Sequence, residues 1–533
     1  MAGERTNPAA EELYARKWPI FGVTMIGLFM ALIDVTIVNL SIPELQRELD
    51  APVDTVSWVL NAYNIMFAVL LVAMGRLADQ FGRRTFFLAG MALFTLASLL
   101  CTLAGSIDAL IAFRVLQGVG AGMLAPIALA TTTLVFPPHQ RGMGLALMAV
   151  VANVAAALGP VIGGVLLEFA SWQWIFAINL PIGVLGIVLA LRVMPQTYDL
   201  GAGTRVDLWG MLTIGGSIFC LTYALVEAND LGWGSSTIVG LLGASVVLAL
   251  AFAATQRLGR YPMLTRSLVR NRQFVGACAA MALFAVALMG MLFLSVIAFV
   301  NLWGYSNLEA AFAIAPVAIL GFITSPIVGR FSDRTPPRVI AVPALALVAG
   351  GLLWFSSFPT SPDYLAVLPA LILIGIGVGA IFPAVNVGAM GSIAGQELGL
   401  GSGIVNTSRQ VGFALGVAIL VAVFTGAVTA QLPEARARAA TQLERAAIPA
   451  PEREAVLRAV FVAPDAAEGA GGAFKPRSDV ERRVDLEARQ LVRDAFADGW
   501  RVAALAALLA LPFSLLMRST PVRPEVGGAA AAG

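Results

Sequence analysis

The sequence predicts an all-α polytopic membrane protein, built as two six-helix halves plus two inserted helices. Three observations indicate this class. The chain is 59% hydrophobic and only 12% charged, whereas a soluble domain carries about 25% charged residues. Fourteen apolar segments are long enough to cross a bilayer, and one short charged turn occurs in two distant copies. Long apolar segments separated by short charged turns are typical of a polytopic membrane protein.

The apolar segments give the number of membrane crossings. A helix needs about 20 apolar residues to span a bilayer. The first segment is too long for the apolar core of a signal peptide and has no small-residue cleavage site, so we expect it to span the membrane. The fourteen predicted transmembrane segments are 19–42, 56–76, 84–105, 108–134, 142–167, 173–194, 208–228, 236–257, 273–300, 308–331, 338–358, 364–388, 398–429 and 497–517.

The repeated charged turn divides these segments into two halves. Gly75–Arg84 follows the second segment, and Gly329–Arg334 follows the tenth. Two copies of one helix-turn-helix signal imply two homologous halves. If each half begins two segments before its turn, the halves are residues 19–194 and 273–517. The helix pair at 208–257 is then an insertion between them.

Basic residues predict the orientation, because short inner loops are enriched in lysine and arginine. With the N-terminus inside, nineteen basic residues fall on the inner side, and Arg47 alone lies in a short outer loop. We therefore expect the two ends of the chain, 1–18 and 518–533, in the cytoplasm. The expected location is the cell (inner, cytoplasmic) membrane, with several passes through the bilayer.

The polar segment 430–496 is predicted to lie outside the cytoplasm, between the last two transmembrane segments. Apolar residues recur every four positions from Val480 to Val492, and Asp485 and Arg489 have the spacing of a helical ion pair. We interpret this segment as two short amphipathic helices around a flexible glycine-rich link. A solvated cap is the simplest role for it.

Several function classes are excluded by composition. His139 is the only histidine, so no motif that needs two histidines exists. Neither lysine, Lys17 nor Lys475, follows a glycine, so the chain has no phosphate-binding P-loop. A net charge of +2 gives no indication of nucleic-acid binding. We predict no catalytic residue, no cofactor and no metal site.

An acid within the first segment is the strongest candidate for a proton site. Asp34 lies eight residues from the outer end of its segment, and Arg114 lies six residues from the outer end of the fourth. At ~1.5 Å per residue, these depths are roughly 12 and 9 Å. A charge at such depth is costly, so Asp34 must face a water-filled cavity or a partner. We predict that both residues couple transport to protons; a static ion pair is the alternative.

Polar residues at similar depth are predicted to line a substrate cavity. Arg409 is the only charge deep in the second half, and a structural role is as plausible for it as a cavity role. The predicted cavity residues are Asn39, Gln117, Asn406 and Arg409.

Two further groups of residues concern movement of the helices. In the fifth segment a proline kinks the helix while glycines allow close packing, which suits a sealed seam; this group is Gly159, Pro160, Gly163 and Gly164. The charged turns are predicted to act as a conformational latch, in which Asp79 pairs with Arg141 or faces the N-terminus of segment 13. The latch group is Gly75, Asp79, Gly82, Arg83, Arg84, Arg141 and Asp333.

Taken together, these segments resemble the major facilitator superfamily, specifically its fourteen-helix drug:proton antiporters. The matching segments are Asp34–Asn39, Gly75–Arg84, Arg114–Gly118, Gly159–Gly164 and Trp172–Phe176. Two features depart from the family pattern. The antiporter motif has alanine at Ala146 and Ala155, where glycine is usual, and the second half lacks the acids expected in exporters of multiply charged cations.

The resemblance implies proton-motive-force-driven efflux of lipophilic small molecules by alternating access, with antibiotic or multidrug resistance as the outcome. The expected partners are the small-molecule substrate, protons and the lipid bilayer, and we expect a monomer. One deep acid against two arginines favours neutral, anionic or monocationic substrates over dications. An importer on the same fold is one alternative, and a membrane sensor or scaffold that uses 430–496 is another.

Overall fold

The computed structural model of the protein describes residues 8–198, 206–259, 262, 264–332, 334–393, 397–446, 448–461 and 478–518. The regular structure in these ranges is helical, with two short 3-10 turns at Val38–Ser41 and Pro138–Gln140. The helices are α1 (Pro8–Ala15), α2 (Lys17–Ile37), α3 (Ile42–Glu48), α4 (Val53–Phe81), α5 (Arg83–Thr102), α6 (Ile107–Val135), α7 (Arg141–Phe169), α8 (Gln173–Ala177), α9 (Asn179–Val193), α10 (Leu208–Leu231), α11 (Ser236–Leu258), α12 (Arg266–Arg270), α13 (Arg272–Trp303), α14 (Asn307–Ser332), α15 (Pro337–Phe355), α16 (Tyr364–Met390), α17 (Leu398–Arg445), α18 (Ala450–Val460) and α19 (Asp479–Leu515).

The predicted fold class is confirmed. Among the described residues, thirteen helices are long and apolar enough to cross a membrane. Helix α7, with 29 residues, occupies the position of the fifth predicted segment. Helices α2, α4, α5, α6, α7 and α9 correspond to the first six segments, α10 and α11 to the inserted pair, and α13 to α17 with α19 to the last six.

Capping side chains determine where many of these helices begin. The hydroxyl of Ser106 accepts the backbone N–H of Ala109 at the start of α6, and Asn271 accepts two backbone N–H groups at the start of α13. Such caps satisfy the N–H groups that have no partner within the helix. The helices therefore start at residues that the local sequence specifies.

The first charged turn is a single residue long. Helix α4 ends at Phe81 and α5 starts at Arg83, with Gly82 between them at a φ of 104°. A residue with a side chain rarely adopts this φ. A Cβ atom at Gly82 would also meet the side chain of Gln196. The turn places Arg83 and Arg84 at one end of the bundle. We call this the basic end, because Arg76, Arg83, Arg84, Arg141 and Arg338 lie there.

Small residues bring the two halves together at the basic end. A Cβ atom on Gly403 of α17 would lie 2.6 Å from the carbonyl oxygen of Leu71 on α4. On the other side of the bundle, a Cβ on Gly329 of α14 would lie 2.9 Å from the carbonyl oxygen of Gly142 and would overlap Ala146 of α7. Two seams, α4–α17 and α7–α14, therefore join the halves.

The small residue at position 146 has a direct structural reason. Gly329 lies so close to Ala146 that α14 and α7 leave room for only a hydrogen at position 329 and a methyl group at position 146. Alanine in place of the usual motif glycine is accommodated because its partner in the second half is itself glycine.

The inserted helices pack together and against one seam. The hydroxyls of Ser217 on α10 and Ser245 on α11 each donate to the backbone carbonyl of the other residue, both at 2.9 Å. Helix α10 also packs against α4 and α17. Tyr223 of α10 contacts Trp58 of α4, with ring centroids 5.3 Å apart. The pair therefore covers the α4–α17 side of the bundle.

The interpretation of 430–496 as two separate short helices was wrong in its boundaries. Helix α17 continues without a break to Arg445, a length of 48 residues, and α19 begins at Asp479, well before the last predicted segment. In both α17 and α19, the amphipathic stretch and the apolar stretch form one continuous helix. The predicted glycine-rich link at 469–472 lies outside the described residues.

These extensions form a three-helix cap with its own core. The predicted pair Asp485–Arg489 forms an ion pair at 2.9 Å. Gln442 of α17 donates to Glu487 of α19 at 2.8 Å. The buried core of the cap consists of Val428, Ala435, Ala439, Leu443, Val456, Leu457, Phe461, Val484, Ala488, Leu491 and Ala495.

The close approach at Gly403 generates a prediction about the α4–α17 seam. Gly403→Ala should separate α4 from α17 at the basic end, because the new methyl group meets backbone atoms that cannot rotate away. Spin-label distances between the two helices measure this separation. The matched control is Gly426→Ala on the same helix, where a Cβ meets nothing within 4 Å. Equal distances in both variants would contradict this account of the seam.

Candidate functional site

Asp34 lies inside the first half, in a network of side chains from four helices. It forms an ion pair with Arg114 of α6. One turn further along α6, the Gln117 amide nitrogen donates to Asp34 Oδ1 at 2.9 Å and to Ser98 Oγ of α5 at 2.8 Å. Asn179 of α9 donates to the same carboxylate oxygen at 3.2 Å. The network gives the carboxylate one charged and two neutral donors.

Arg114 is held on its other sides as well. Its Nε donates to the carbonyl oxygen of Val59 at 2.8 Å, and its Nη1 donates to Gln117 Oε1 at 2.6 Å. The guanidinium carbon lies 4.2 Å from the ring centroid of Tyr63, within the range of a cation–π contact. Tyr63 in turn donates its hydroxyl to the carbonyl oxygen of Ala31 at 2.7 Å. The arginine is therefore fixed by α2, α4 and α6 together.

The network is closed to solvent in this conformation. The side chains of Asp34 and Arg114 are both 0% exposed. Of the two environments expected for Asp34, a water-filled cavity or a partner, it has the partner in this conformation. In the described part of the chain, Arg114 Nη2 and Asn179 Oδ1 are buried without a hydrogen-bond partner. Loss of one charge from such a buried pair costs about 3–5 kcal/mol.

A separate cavity lies between the two halves. In this conformation the cavity is narrow, with about 20 Å³ of space open to the centre of a water molecule. Its walls come from α2, α6 and α7 of the first half and from α13, α16 and α17 of the second. The lining residues are Leu28, Leu32, Ala125, Met148, Ala149, Ala152, Met281, Phe382, Asn386, Val405, Asn406 and Arg409.

Helix α2 separates the cavity from the buried network. Leu28 and Leu32 line the cavity, and Asp34 follows two residues after Leu32. Two residues turn an α-helix by about 200°. Asp34 is therefore on the face of α2 that points into the first half, away from the cavity.

The predicted cavity residues divide between these two places. Asn406 and Arg409 line the cavity, and the Arg409 guanidinium donates to Asn406 Oδ1 at 2.9 Å. Gln117 does not line it; its side chain belongs to the Asp34 network because α6 turns that face toward α2 and α5. Asn39 lies in the 3-10 turn that follows α2.

Four polar residues of these two sites were not predicted from the sequence. Ser98, Asn179 and Tyr63 belong to the Asp34 network, and Asn386 lines the cavity. Their signal in the sequence is weak, because a single amide or hydroxyl within an apolar segment is common. Asn179 follows Trp172 and Trp174 at the start of the sixth segment, where tryptophans are typical of a membrane interface.

The glycines of the fifth segment pack α7 against α2 next to this network. A Cβ atom on Gly159 would lie 2.8 Å from the Cβ atom of Thr36 and would overlap the Thr36 hydroxyl. Thr36 is two residues from Asp34. Gly163 is also buried, whereas a Cβ on Gly164 would meet nothing within 4 Å. Pro160 lies within the uninterrupted helix α7. The close contact therefore depends on Gly159.

The charged turn of the first half reaches across to the second half. Asp79 Oδ2 accepts the backbone N–H of Leu400, in the first turn of α17, at 3.0 Å. Asp79 Oδ1 accepts from Arg83 Nη2 at 2.8 Å, and both side chains are buried. A carboxylate at the N-terminus of a helix is stabilised by the helix dipole. One of the two partners predicted for Asp79, the N-terminus of segment 13, is present in the structure.

The other members of the latch group lie around this contact. A Cβ on Gly75 would overlap the carbonyl oxygen of Gly399. The Arg84 side chain donates to the carbonyl oxygen of Leu191 at 2.7 Å. Arg141 is the first residue of α7. Asp333 lies outside the described residues.

Two helical halves around a shared central cavity define a membrane transport protein. The model of the Major Facilitator Superfamily matches residues 24–417. The chain therefore belongs to the major facilitator superfamily.

Relatives of known name are resistance and export proteins. The puromycin resistance protein of Streptomyces alboniger is 36% identical over 79% of this chain and 84% of its own length. The tetracenomycin C resistance and export protein of Streptomyces glaucescens is 28% identical over 96% of this chain and 93% of its own. Both names describe resistance, and the second also describes export.

Solved structures share the fold. The crystal structure of the human organic anion transporter MFSD10 covers 93% of this chain and 99% of its own, with a TM-score of 0.59 and 12% sequence identity.

The contact between Gly159 and Thr36 generates a second prediction. Gly159→Ala should push α7 away from α2 and lower the melting temperature of the purified protein, because the methyl group overlaps Thr36. Gly164→Ala, five residues further along α7, is the matched control and should change nothing, because a Cβ atom there meets nothing within 4 Å. Equal melting temperatures for the two variants would contradict this account of the α2–α7 contact.

The contact of Asp79 with α17 generates a third prediction. Asp79→Asn keeps the shape of the side chain but removes its charge, so the closed basic end should be less stable. Since charge-assisted hydrogen bonds contribute about 1.5–3 kcal/mol, transport should slow by roughly tenfold or more. Relative affinities among substrates should stay the same, because Asp79 does not line the cavity.

Turnover and binding are measured separately for this variant, with Asp108→Asn as the control. Asp108 is an exposed acid in the first turn of α6, and it is distant in sequence from the residues of the α4–α17 seam. Altered substrate preference at normal turnover would make Asp79 a recognition residue instead of a latch.

Proposed function

We propose that the protein exports lipophilic small molecules in exchange for protons, and thereby confers resistance to an antibiotic or to several drugs. The observation that carries the proposal is the buried Asp34–Arg114 pair, which lies beside a central cavity without opening into it. The resistance and export functions in the names of the relatives support the direction of transport.

The proton step follows from the chemistry of the ion pair. Protonation of Asp34 removes its charge and leaves the Arg114 guanidinium buried without a counter-ion, which is strongly unfavourable. The helices that hold the pair, α2 and α6, then favour an arrangement in which water reaches both groups. Release of the proton restores the pair and the closed arrangement. One charge that crosses 100 mV supplies about 2.3 kcal/mol to this cycle.

The conformational step uses the two seams of the basic end. The contacts of Asp79 and Gly75 with α17, that of Gly403 with α4, and those of Gly329 with α7 hold the halves together there. We place the basic end in the cytoplasm, with both termini, in accordance with the excess of arginine. The conformation described here is then closed to the cytoplasm, and the halves rock about the cavity to open it.

Helix α2 couples the two steps. Its cavity face carries Leu28 and Leu32, and its opposite face carries Asp34. A substrate that occupies the cavity presses on the same helix that must move when Asp34 takes up a proton. The substrate and the proton therefore compete through the position of α2, without sharing one carboxylate.

Two other functions predict different measurements. An importer on this fold raises the internal concentration of its substrate, and a sensor or scaffold that uses the cap leaves it unchanged. Accumulation of a labelled drug in cells that lack other pumps, with and without this protein, separates these functions from export. Export requires a lower internal concentration that rises again when the proton gradient is collapsed.

The proton site gives a fourth prediction. Asp34→Asn should abolish proton-driven efflux while the protein remains in the membrane, since asparagine cannot exchange a proton. The variant should also be less stable, because Arg114 loses its counter-ion; the expected loss is about 3–5 kcal/mol. Drug uptake into inverted vesicles and thermal unfolding of the purified protein measure the two effects.

The double variant Asp34→Asn/Arg114→Gln separates coupling from structure. It removes both charges, so stability should recover relative to the single variant while proton-driven efflux stays absent. A purely structural ion pair predicts the reverse for transport. Recovery of active efflux together with stability would therefore overturn the role of Asp34 as the proton carrier.

A further inference from the structure

The walls of the central cavity differ in polarity. All six lining residues from the first half are apolar: Leu28, Leu32, Ala125, Met148, Ala149 and Ala152. The polar lining residues all belong to the second half: Asn386 on α16, and Asn406 and Arg409 on α17. A ligand in this cavity is therefore recognised through polar groups on one side only.

Arg409 carries the only charge on these walls, in the part of the chain that the structure describes. It forms no ion pair there, and its one hydrogen bond goes from Nη2 to Asn406 Oδ1 at 2.9 Å. Its Nε is enclosed and has no hydrogen-bond partner. Asn406 is oriented for this contact, because its amide nitrogen donates to the carbonyl oxygen of Ser402 at 2.9 Å. The guanidinium thus has donors available toward the cavity.

The available acids do not neutralise this charge. Asp34 is paired with Arg114 on the far face of α2, and no carboxylate lies among the described lining residues. An arginine remains protonated in proteins. A buried cation without a counter-ion is unfavourable, and an incoming anion that accepts its hydrogen bonds removes that cost. A cationic ligand would face repulsion instead.

From this arrangement we propose that the substrates are lipophilic monoanions, whose negative group binds Arg409 and Asn406 while the apolar body contacts the first-half wall. Met148 of the first half fits such a body, and Met281 and Phe382 of the second half lie on the same cavity, because methionine adapts to varied shapes and aromatic rings stack on flat ligands. The expectation of neutral, anionic or monocationic substrates is thereby narrowed to monoanions. This proposal rests on the proposed export function only for its transport measurement.

Binding to the purified protein tests the charge preference without any gradient. The probes are anilinonaphthalene sulfonate, a lipophilic monoanion, and N-phenylnaphthylamine, which has the same rings but no sulfonate. The wild-type protein should bind the sulfonate more tightly. Arg409→Gln should weaken sulfonate binding by about 10- to 100-fold, the range for loss of hydrogen bonds to a charged group, and leave the neutral probe unaffected.

Two further variants control for loss of charge and loss of fold. Arg192→Gln removes one exposed arginine at the end of α9 and should bind both probes as the wild type does. Asn406→Asp keeps the shape of the cavity wall and places a carboxylate beside Arg409, so it should weaken sulfonate binding as Arg409→Gln does. Equal binding of the two probes by the wild type, or sulfonate binding that survives both cavity substitutions, would overturn the proposal.

Uptake into inverted vesicles separates this proposal from the function on which it rests. With a proton gradient, the wild type should accumulate the sulfonate faster than the neutral probe, and Arg409→Gln should reverse the order. Gradient-driven uptake of the neutral probe alone would contradict the charge preference and keep the export function. If sulfonate binding depends on Arg409 but neither probe shows gradient-driven uptake, the proposed binding site is supported. Proton-driven export is then contradicted.

Discussion

The ion pair between Asp34 and Arg114 is the interaction on which the first half depends. Four helices contribute side chains to it, and both charged groups are closed to solvent. Because a single buried charge is far less favourable than a pair, the two groups must stay together or both reach water. An interaction with two such states suits a helix bundle that alternates between two arrangements, and it ties the packing of α2, α5, α6 and α9 to the charge on one carboxylate.

The two halves differ in what they contribute to the central cavity. The first half presents apolar side chains to it and keeps its charged groups inside its own bundle. The second half presents Asn386, Asn406 and Arg409. In the mechanism that we propose, proton chemistry and substrate recognition therefore belong to different halves of one repeated architecture. The proposed connection between them is mechanical, through α2, since this helix has the cavity on one face and Asp34 on the other.

Helix α17 connects three distant parts of the molecule. Its N-terminus contacts Asp79 at the basic end, Arg409 lies along the cavity, and its last turns form part of the cap. At ~1.5 Å per residue, its 48 residues extend over roughly 72 Å. Separation of α17 from α4 therefore moves the cavity wall and the cap together, because one continuous helix carries both.

The fold class and the long apolar helices were predictable from the sequence, because apolar length along the chain is a local property. The direction of a side chain around its helix is different, since it depends on which distant segments pack on each face. For that reason only the packed structure shows that Ser98 and Asn179 belong to the Asp34 network. It also shows that Gln117 lies in that network instead of in the cavity, and that Asp34 is isolated from the cavity. The extensions of α17 and α19 also became visible only in the packed structure. A polar stretch that continues an apolar helix stays helical when neighbouring helices bury its apolar side, and here α18 does so in the cluster around Leu443 and Val484.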